Sequence, residues 1–455
     1  MNMTLFRLCA LSVLIAVVSS AGLKEEFTWT ILNYIWPGTD RRVEERVSRR
    51  QIDNVFEDPN ISVEAFVTRD APEGVEFIPE NNIPMGANVW KNKLFITVPR
   101  RQPGIPSTLN YVPLDSPNRH NVPLIPYPNL EINRYPGGRQ NFLSVYRVAI
   151  DPCDRLWMAD TGLIETPGNS SQVKASMIFV IDLNTDQVIH SYEIPTSFMR
   201  PASLLDSITI DVTENTCDDA YAYLPDLGGY SIIVYSLKQN RSWRVAHNYL
   251  FLENSQGDFN IHGHRFQWND GVFNVELSSI KPTGFRDLYF HALAGSHLYR
   301  VSTRILRNET LATRSFHADD FQVVGDRGPL SQTTSADIDQ CSGVMFMCLV
   351  SQNALGCWNT NKPLRTKSIV QRDDRRMIYP NDVKVYRDRI YVLTNTMPEF
   401  QFGRLNYDEV NFRIWTNTVA GAIEGTPCDD NYESNTVYGR RRLVGGRKGR
   451  IYPRY

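Results

Sequence analysis

Between Val145 and Ile194 the chain reads VYRVAID, PCDR, LWMADTG, a loop, SMIFVIDL, NTDQ and VIHSYEI. Four short runs rich in β-branched and aromatic residues alternate with tight turns built from Pro, Asp, Asn and Gly. Four such strands make one twisted blade that must bury both faces against neighbours, so a single unit of this kind cannot stand alone.

Working outward, the same grammar recurs. GANVWKNKLFITVPR starts at Gly86 and SITIDVTENTCDDAYAYLPDLGGYSIIVYSL at Ser207. GVFNVELSS with DLYFHALAGSHLYRVS starts at Gly271, TSADIDQCSGVMFMCLVSQNALGCWN at Thr334, and NDVKVYRDRIYVLTNTMPEFQFGRLN at Asn381. Units spaced by roughly 45–65 residues fall in the range of propeller repeats. Regular spacing with two turns per unit argues against a pair of β-sandwiches or a β-helix. The fold class predicted is all-β, a six-bladed β-propeller with an N-terminal extension and a basic C-terminal tail.

The flanks differ from the ring. Residues 1–21 read as a secretory signal: Arg7, an apolar run from Leu8 to Val18, and the small residues Ser19, Ser20 and Ala21. Residues 22–80 form the N-terminal segment. In it Phe27 to Trp36, FTWTILNYIW, suits a strand that closes the ring by joining the last blade. Thr39 to Val55 is charged and reads as a surface helix, with a possible processing site at Arg46 to Arg50. The ring spans 81–428 and the tail 429–455.

The tail's last sixteen residues, Arg440 to Tyr455, hold seven Lys/Arg and no Asp/Glu, so the overall charge of −2 leaves −9 on the rest. The Gly- and Arg-rich tail suits acidic matrix or glycan surfaces. Nothing suggests a nucleic-acid partner, and no stretch is long and apolar enough for a membrane span.

Extracellular localisation is expected on further grounds. Sequons stand at Asn60, Asn169, Asn240 and Asn308. Once the signal and its Cys9 are removed, six cysteines remain, an even number that in an oxidising compartment points to disulfides, with fifteen connectivities open. Cys153 and Cys217 open the first turns of neighbouring units, where a bridge would staple two blades. Cys357 and Cys428 would tie a late blade to the C-terminal segment, and Cys341 and Cys348 are the doubtful pair. No CxxC, HExxH, P-loop or zinc-spaced Cys/His cluster occurs, so neither a metal nor a cofactor is expected.

Several segments, in order, carry a resemblance: Asn82 to Gly86 followed by VWKNKLFITVPR, GIPSTLNYV from Gly104, and Asp151-Pro152-Cys153 with LWMADTG. AYLPDLGGYSIIVYS from Ala222, NALGCWN from Asn353, and FGRLNYDEVNFRI from Phe402 complete the set. Together they cover about Phe27 to Cys428 and resemble the yellow/major royal jelly protein family, more the yellow members than the jelly proteins. The resemblance implies a secreted six-bladed propeller. Its members include proteins of cuticle pigmentation, dopachrome conversion enzymes, salivary binders of biogenic amines and nutritive jelly proteins, and fold alone does not choose among them.

Ligands of propellers usually occupy one mouth of the central channel. Polar groups where strands end in loops are Asp160, Asp226, His291, Asn381 and Asn395, with Tyr230 and Phe290 among the nearby aromatics. Carboxylates beside aromatics suit a flat catechol-derived ligand. Dopachrome conversion removes a proton, and in the insect type CO2, from an indoline-quinone carrying an iminium, and for that a positioned base is needed: His291, Asp160 or Asp226. Each Asp could instead organise its loop by accepting backbone N–H bonds. By resemblance to the amine binders, Asn381 and Asn395 would touch ligand, but Pro380 stands where a hydroxyl-bearing residue would be expected. The alternatives to the enzyme are a non-catalytic binder of amines or catechols, a structural cuticle or eggshell protein, and a calcium-dependent lactonase-like propeller.

Overall fold

The computed structural model describes residues 22–36, 71–166 and 169–432. Six four-stranded antiparallel sheets form the ring. Their inner strands are Gly86–Trp90, Val145–Asp151, Thr209–Asp211, Val272–Leu277, Thr333–Ile338 and Pro380–Tyr386, one for each of the repeats read from the sequence. Each inner strand lies beside the next and the last returns to the first, which makes the chain a closed six-bladed β-propeller.

Burial follows radial position. The second strands of blades 2 to 5 (Arg155–Asp160, Tyr221–Asp226, Asp287–Ala292, Val344–Leu349) are buried at every residue, because blades press on both faces. Outer strands such as Gln187–Glu193 alternate toward solvent. Between blades 2 and 3, Trp157, Ile178 and Val180 interdigitate with Ala222, Ile233 and Tyr235, each large side chain contributing about 1.5–3 kcal/mol by leaving water. The turn after the inner strand of blade 2 is set by Asp151. Its carboxylate accepts from the N–H groups of Cys153 (2.9 Å) and Arg155 (3.1 Å) and from Trp157 Nε1 (2.7 Å).

The N-terminal strand, Lys24–Trp29, pairs with Phe412–Thr418 and is the outermost strand of blade 6. The chain then runs on to blade 1, where Tyr34 pairs with Leu124 and its hydroxyl donates to Asn82 Oδ1 at 2.9 Å. The aromatic run thus joins the last blade and packs on the first, so the ring includes strand residues that precede position 81. Disulfides link Cys153 to Cys217 and Cys357 to Cys428. No bridge joins Cys341, which is exposed, to Cys348, which is buried in the second strand of blade 5. The signal, the charged helix with its processing site, Asn60 and the basic tail from Glu433 on lie outside the described residues. No helix among the described residues is long and apolar enough to cross a membrane.

Candidate active site

All inner strands begin at one face of the ring, here called the upper mouth. Second strands end at this face too, but one strand further from the axis. That radial step decides the fate of the residues singled out from sequence.

Asp160 is fully buried; its carboxylate accepts from the N–H groups of Leu143 (2.7 Å), Ser144 (3.0 Å) and Gly162 (3.1 Å) and pairs with Lys174 at 2.7 Å. Asp226 plays the same part in blade 3, accepting from Ser203 Oγ (2.6 Å) and from the N–H groups of Leu204 (3.1 Å) and Gly229 (2.9 Å). Both spend their lone pairs on loop geometry. His291 lies between blades 4 and 5 with its Nδ1 against the Ala292 carbonyl and no partner at Nε2. Burial, then Arg327, push it well below the ordinary imidazole value, so it is neutral and a weak base. Phe290 packs in the core between blades 3 and 4 and reaches no mouth, which corrects its reading as a ligand contact. Asn395 donates to the Pro84 carbonyl at 2.9 Å, and Asn381 donates to the Met85 carbonyl while Arg147 donates to its own carbonyl at 2.9 Å. Both hold the seam between blades 6 and 1. Only Asn381 and Tyr230 stand beside the mouth.

The groups gathered at the mouth come from the starts of inner strands and from neighbouring loops. Arg147 pairs with Asp206, lies 3.7 Å from Asp382 and sits over the Phe273 ring at 5.3 Å. Above it, Arg101 pairs with Glu165 at 3.0 Å, and Tyr146 donates to the other oxygen of Glu165 at 2.6 Å. Tyr379 stands within electrostatic reach of Arg147, Asp270, Arg101 and Asp206, and its ring meets Trp268 edge-on at 6.2 Å. Its φ of 51° is left-handed, an unfavourable state for a bulky side chain and one that clusters at functional sites.

Asp270 is the group that sequence reasoning missed. It ends the WND run just before the inner strand of blade 4 and is half-buried. Its carboxylate accepts no hydrogen bond among the described residues. Burial pushes it up to about 6, Arg101 opposing. Beside it, Tyr230 donates to the Asn269 carbonyl at 2.9 Å and stacks near Phe251 at 4.7 Å. Asp206 is also raised by burial, but Arg147 already claims it. The signal that could have found Asp270 is its place: one residue before Gly271, where any Cβ would lie 2.3 Å from the Tyr230 ring.

Deeper along the axis, Asp382 accepts from Ala87 N–H (3.0 Å), Ser335 Oγ (2.7 Å) and Lys384 Nζ (2.7 Å). Burial pushes Glu276 well up and Asp337 up to about 6. Among the described residues no group of three or more His, Cys, Asp or Glu is placed to hold a metal ion.

The mouth is roofed. A hairpin of strands Asp258–Ile261 and His264–Gln267 leaves the connection between blades 3 and 4, and a helix, Met397–Phe402, leaves blade 6. Phe259 and Ile261 of the hairpin and Met397 of the helix join Tyr146, Phe273 and Tyr379 in one apolar cluster. The arrangement offers a half-buried carboxylate of raised basicity, guanidinium groups already paired with Glu165 and Asp206, and aromatic faces for a flat ring.

Comparison with known proteins agrees in family. The family model described as major royal jelly protein matches residues 143–428. The L-dopachrome tautomerase yellow-f of Drosophila melanogaster is 43% identical over 357 residues, which cover 78% of this chain and 83% of that protein. Protein yellow of Drosophila yakuba is 38% identical over 417 residues, covering 90% of this chain and 75% of that protein.

Proposed function

The chain belongs to the major royal jelly protein family, and from that premise we propose that it is a secreted enzyme of pigment formation that converts L-dopachrome to a dihydroxyindole. The observation that carries the reading is Asp270: an unpartnered carboxylate of raised basicity beside Tyr379 and Arg101, in a chain similar to a protein named a dopachrome tautomerase.

In this reading Arg101, which Glu165 and Gln401 already hold in place, shares its charge with the substrate carboxylate, and Tyr379 and Trp268 flank the ring. Asp270 removes the proton from the carbon bearing the carboxylate. The C–H electron pair enters the quinone-iminium system and a proton is returned to a ring oxygen. A second proton then leaves the adjacent CH2, its electron pair closing the indole, and one is taken up at the other ring oxygen, so the net reaction is an isomerisation. The roof limits water around the anionic partners and strengthens their interactions. If the carboxylate is lost instead, its bonding pair takes the same path and CO2 leaves.

Secretion is supported by the two disulfides, which persist in oxidising compartments. Asn169, Asn240 and Asn308 are exposed, as glycan acceptors must be. The basic tail would then retain the protein on acidic matrix.

The test is to incubate the purified full-length protein with L-dopachrome and resolve the products by chromatography. Accelerated loss with 5,6-dihydroxyindole or its 2-carboxylate as product supports the reading and tells tautomerisation from decarboxylation. Loss no faster than in buffer overturns it, and binding of a catechol amine without turnover would make the protein a carrier.

A further inference from the structure

A second polar cavity lies between blades 4 and 5 and is lined by none of the residues gathered at the mouth. It encloses about 400 Å³, within the ~300–1,000 Å³ usual for small-molecule sites. Its lining includes the polar Arg327, Ser331, Gln352 and Lys367 together with the apolar Met347 and Leu349.

Arg327 is the unusual member. Only 1% of it is exposed, and its guanidinium donates to the carbonyls of Gly295 (3.0 Å) and Ser296 (3.2 Å) and to Thr333 Oγ1. All are neutral acceptors, and no carboxylate lies within ion-pair distance among the described residues. Glu253 and Asp326 act on it only from further off, the first being occupied by the backbone of Ser296 and His297 and the second by that of Gly328. A buried cation without a contacting anion is costly unless one is supplied. Lys367, exposed at the rim, adds a second positive charge.

A buried polar atom without a hydrogen-bond partner lies in the same interface. His291 shares a strand face with Tyr289, whose ring meets Trp358 of blade 5 edge-on at 5.8 Å, so it too faces blade 5. Its Nε2 makes no hydrogen bond.

We propose that this cavity binds a small amphipathic monocarboxylate, the anion toward Arg327 and Lys367 and the apolar body along Met347 and Leu349. The site shares no lining residue with the mouth and does not rest on the reaction proposed there.

Octanoate, with octanol as its neutral match, is titrated into the full-length protein by calorimetry and by thermal shift. Wild type should bind octanoate at least tenfold more tightly than octanol. Lys367→Glu, an exposed substitution that leaves the core intact, should weaken octanoate at least tenfold while leaving dopachrome turnover unchanged. Equal binding of octanoate and octanol, octanoate binding unaffected by Lys367→Glu, or no binding at all would each overturn the proposal. Arg327→Met serves as a second variant: if it folds, octanoate preference should vanish, and retention of that preference counts against the site.

Discussion

His264 and Glu399 meet across the roof of the mouth, Nε2 to carboxylate at 2.7 Å, although 135 positions separate them in the chain. One belongs to the hairpin from blades 3 and 4, the other to the helix of blade 6. Phe266 and Phe402 stack next to them with centroids 4.6 Å apart. The contact latches two independently anchored covers over Tyr379 and Asp270.

Because the latch is partly exposed, its loss should loosen the roof without unfolding the ring. Burial raises Glu399, but the hydrogen bonds from His264 and the Arg404 N–H outweigh it and hold the carboxyl below its usual value. Its contribution is therefore present above the unfolded-state value and disappears as pH falls through the lower folded one. For Glu399→Gln the expectation is severalfold faster proteolysis within 258–267, with a global melting shift equivalent to no more than about 1 kcal/mol. An unchanged cleavage rate would remove the latch from the account.

Asp270→Asn should lower kcat by roughly 10²–10⁴-fold while substrate affinity changes far less, since proton abstraction is felt in the transition state. A base must be deprotonated to act, and Asp270 is pushed up to about 6. The wild-type kcat should therefore rise with pH through about 6, and the variant's residual rate should lack that step. A pH–rate profile of both proteins checks the assignment.

Asp160→Ala should behave in the opposite way. Three backbone N–H groups and Lys174 would lose their acceptor, at a cost of about 3 kcal/mol or more. Denaturant melts should show the loss, whereas kcat per folded molecule should stay at the wild-type value. A collapse of kcat in a protein of undiminished stability would restore Asp160 as a base.

Removing the bridge between blades 2 and 3 with Cys153→Ser and Cys217→Ser together should destabilise the ring by about 2–4 kcal/mol, since the bridge closes a loop of 64 residues. Urea titration of the double variant provides the measurement. If the midpoint stays where it is, strain in the bridge offsets its benefit.

Ring closure rests on the N-terminal strand. Phe27 is fully buried, stacks on Trp29 at 5.8 Å and lies under Arg119. Phe27→Ala should cost about 3–5 kcal/mol and should free the outer edge of blade 6 for exchange. Hydrogen exchange at Phe412–Thr418 is the sensitive readout, because its amides lose their cover first.

Short-range information was enough for the architecture. Each blade announces itself by runs of β-branched and aromatic residues between turns, and Asp151-Pro152-Cys153-Asp154 sets its own hairpin through bonds to neighbours a few residues away. The closing strand showed itself as an aromatic run outside the repeats, and Cys153 with Cys217 by their matching places in successive units. The functional groups carry no such local mark. Arg101, Arg147, Asp206, Asp270 and Tyr379 belong to blades 1, 2, 3, 4 and 6, and only the closure of the ring brings them to one axis. Sequence places Asp160, Asp226 and His291 at the same face of the ring, yet a single strand of radial displacement puts them between blades, where packing leaves them loop geometry or isolation. A strand pattern specifies which face a side chain takes within its sheet. Its distance from the axis depends on the sheets packed around it, and that is decided only when all six blades have met.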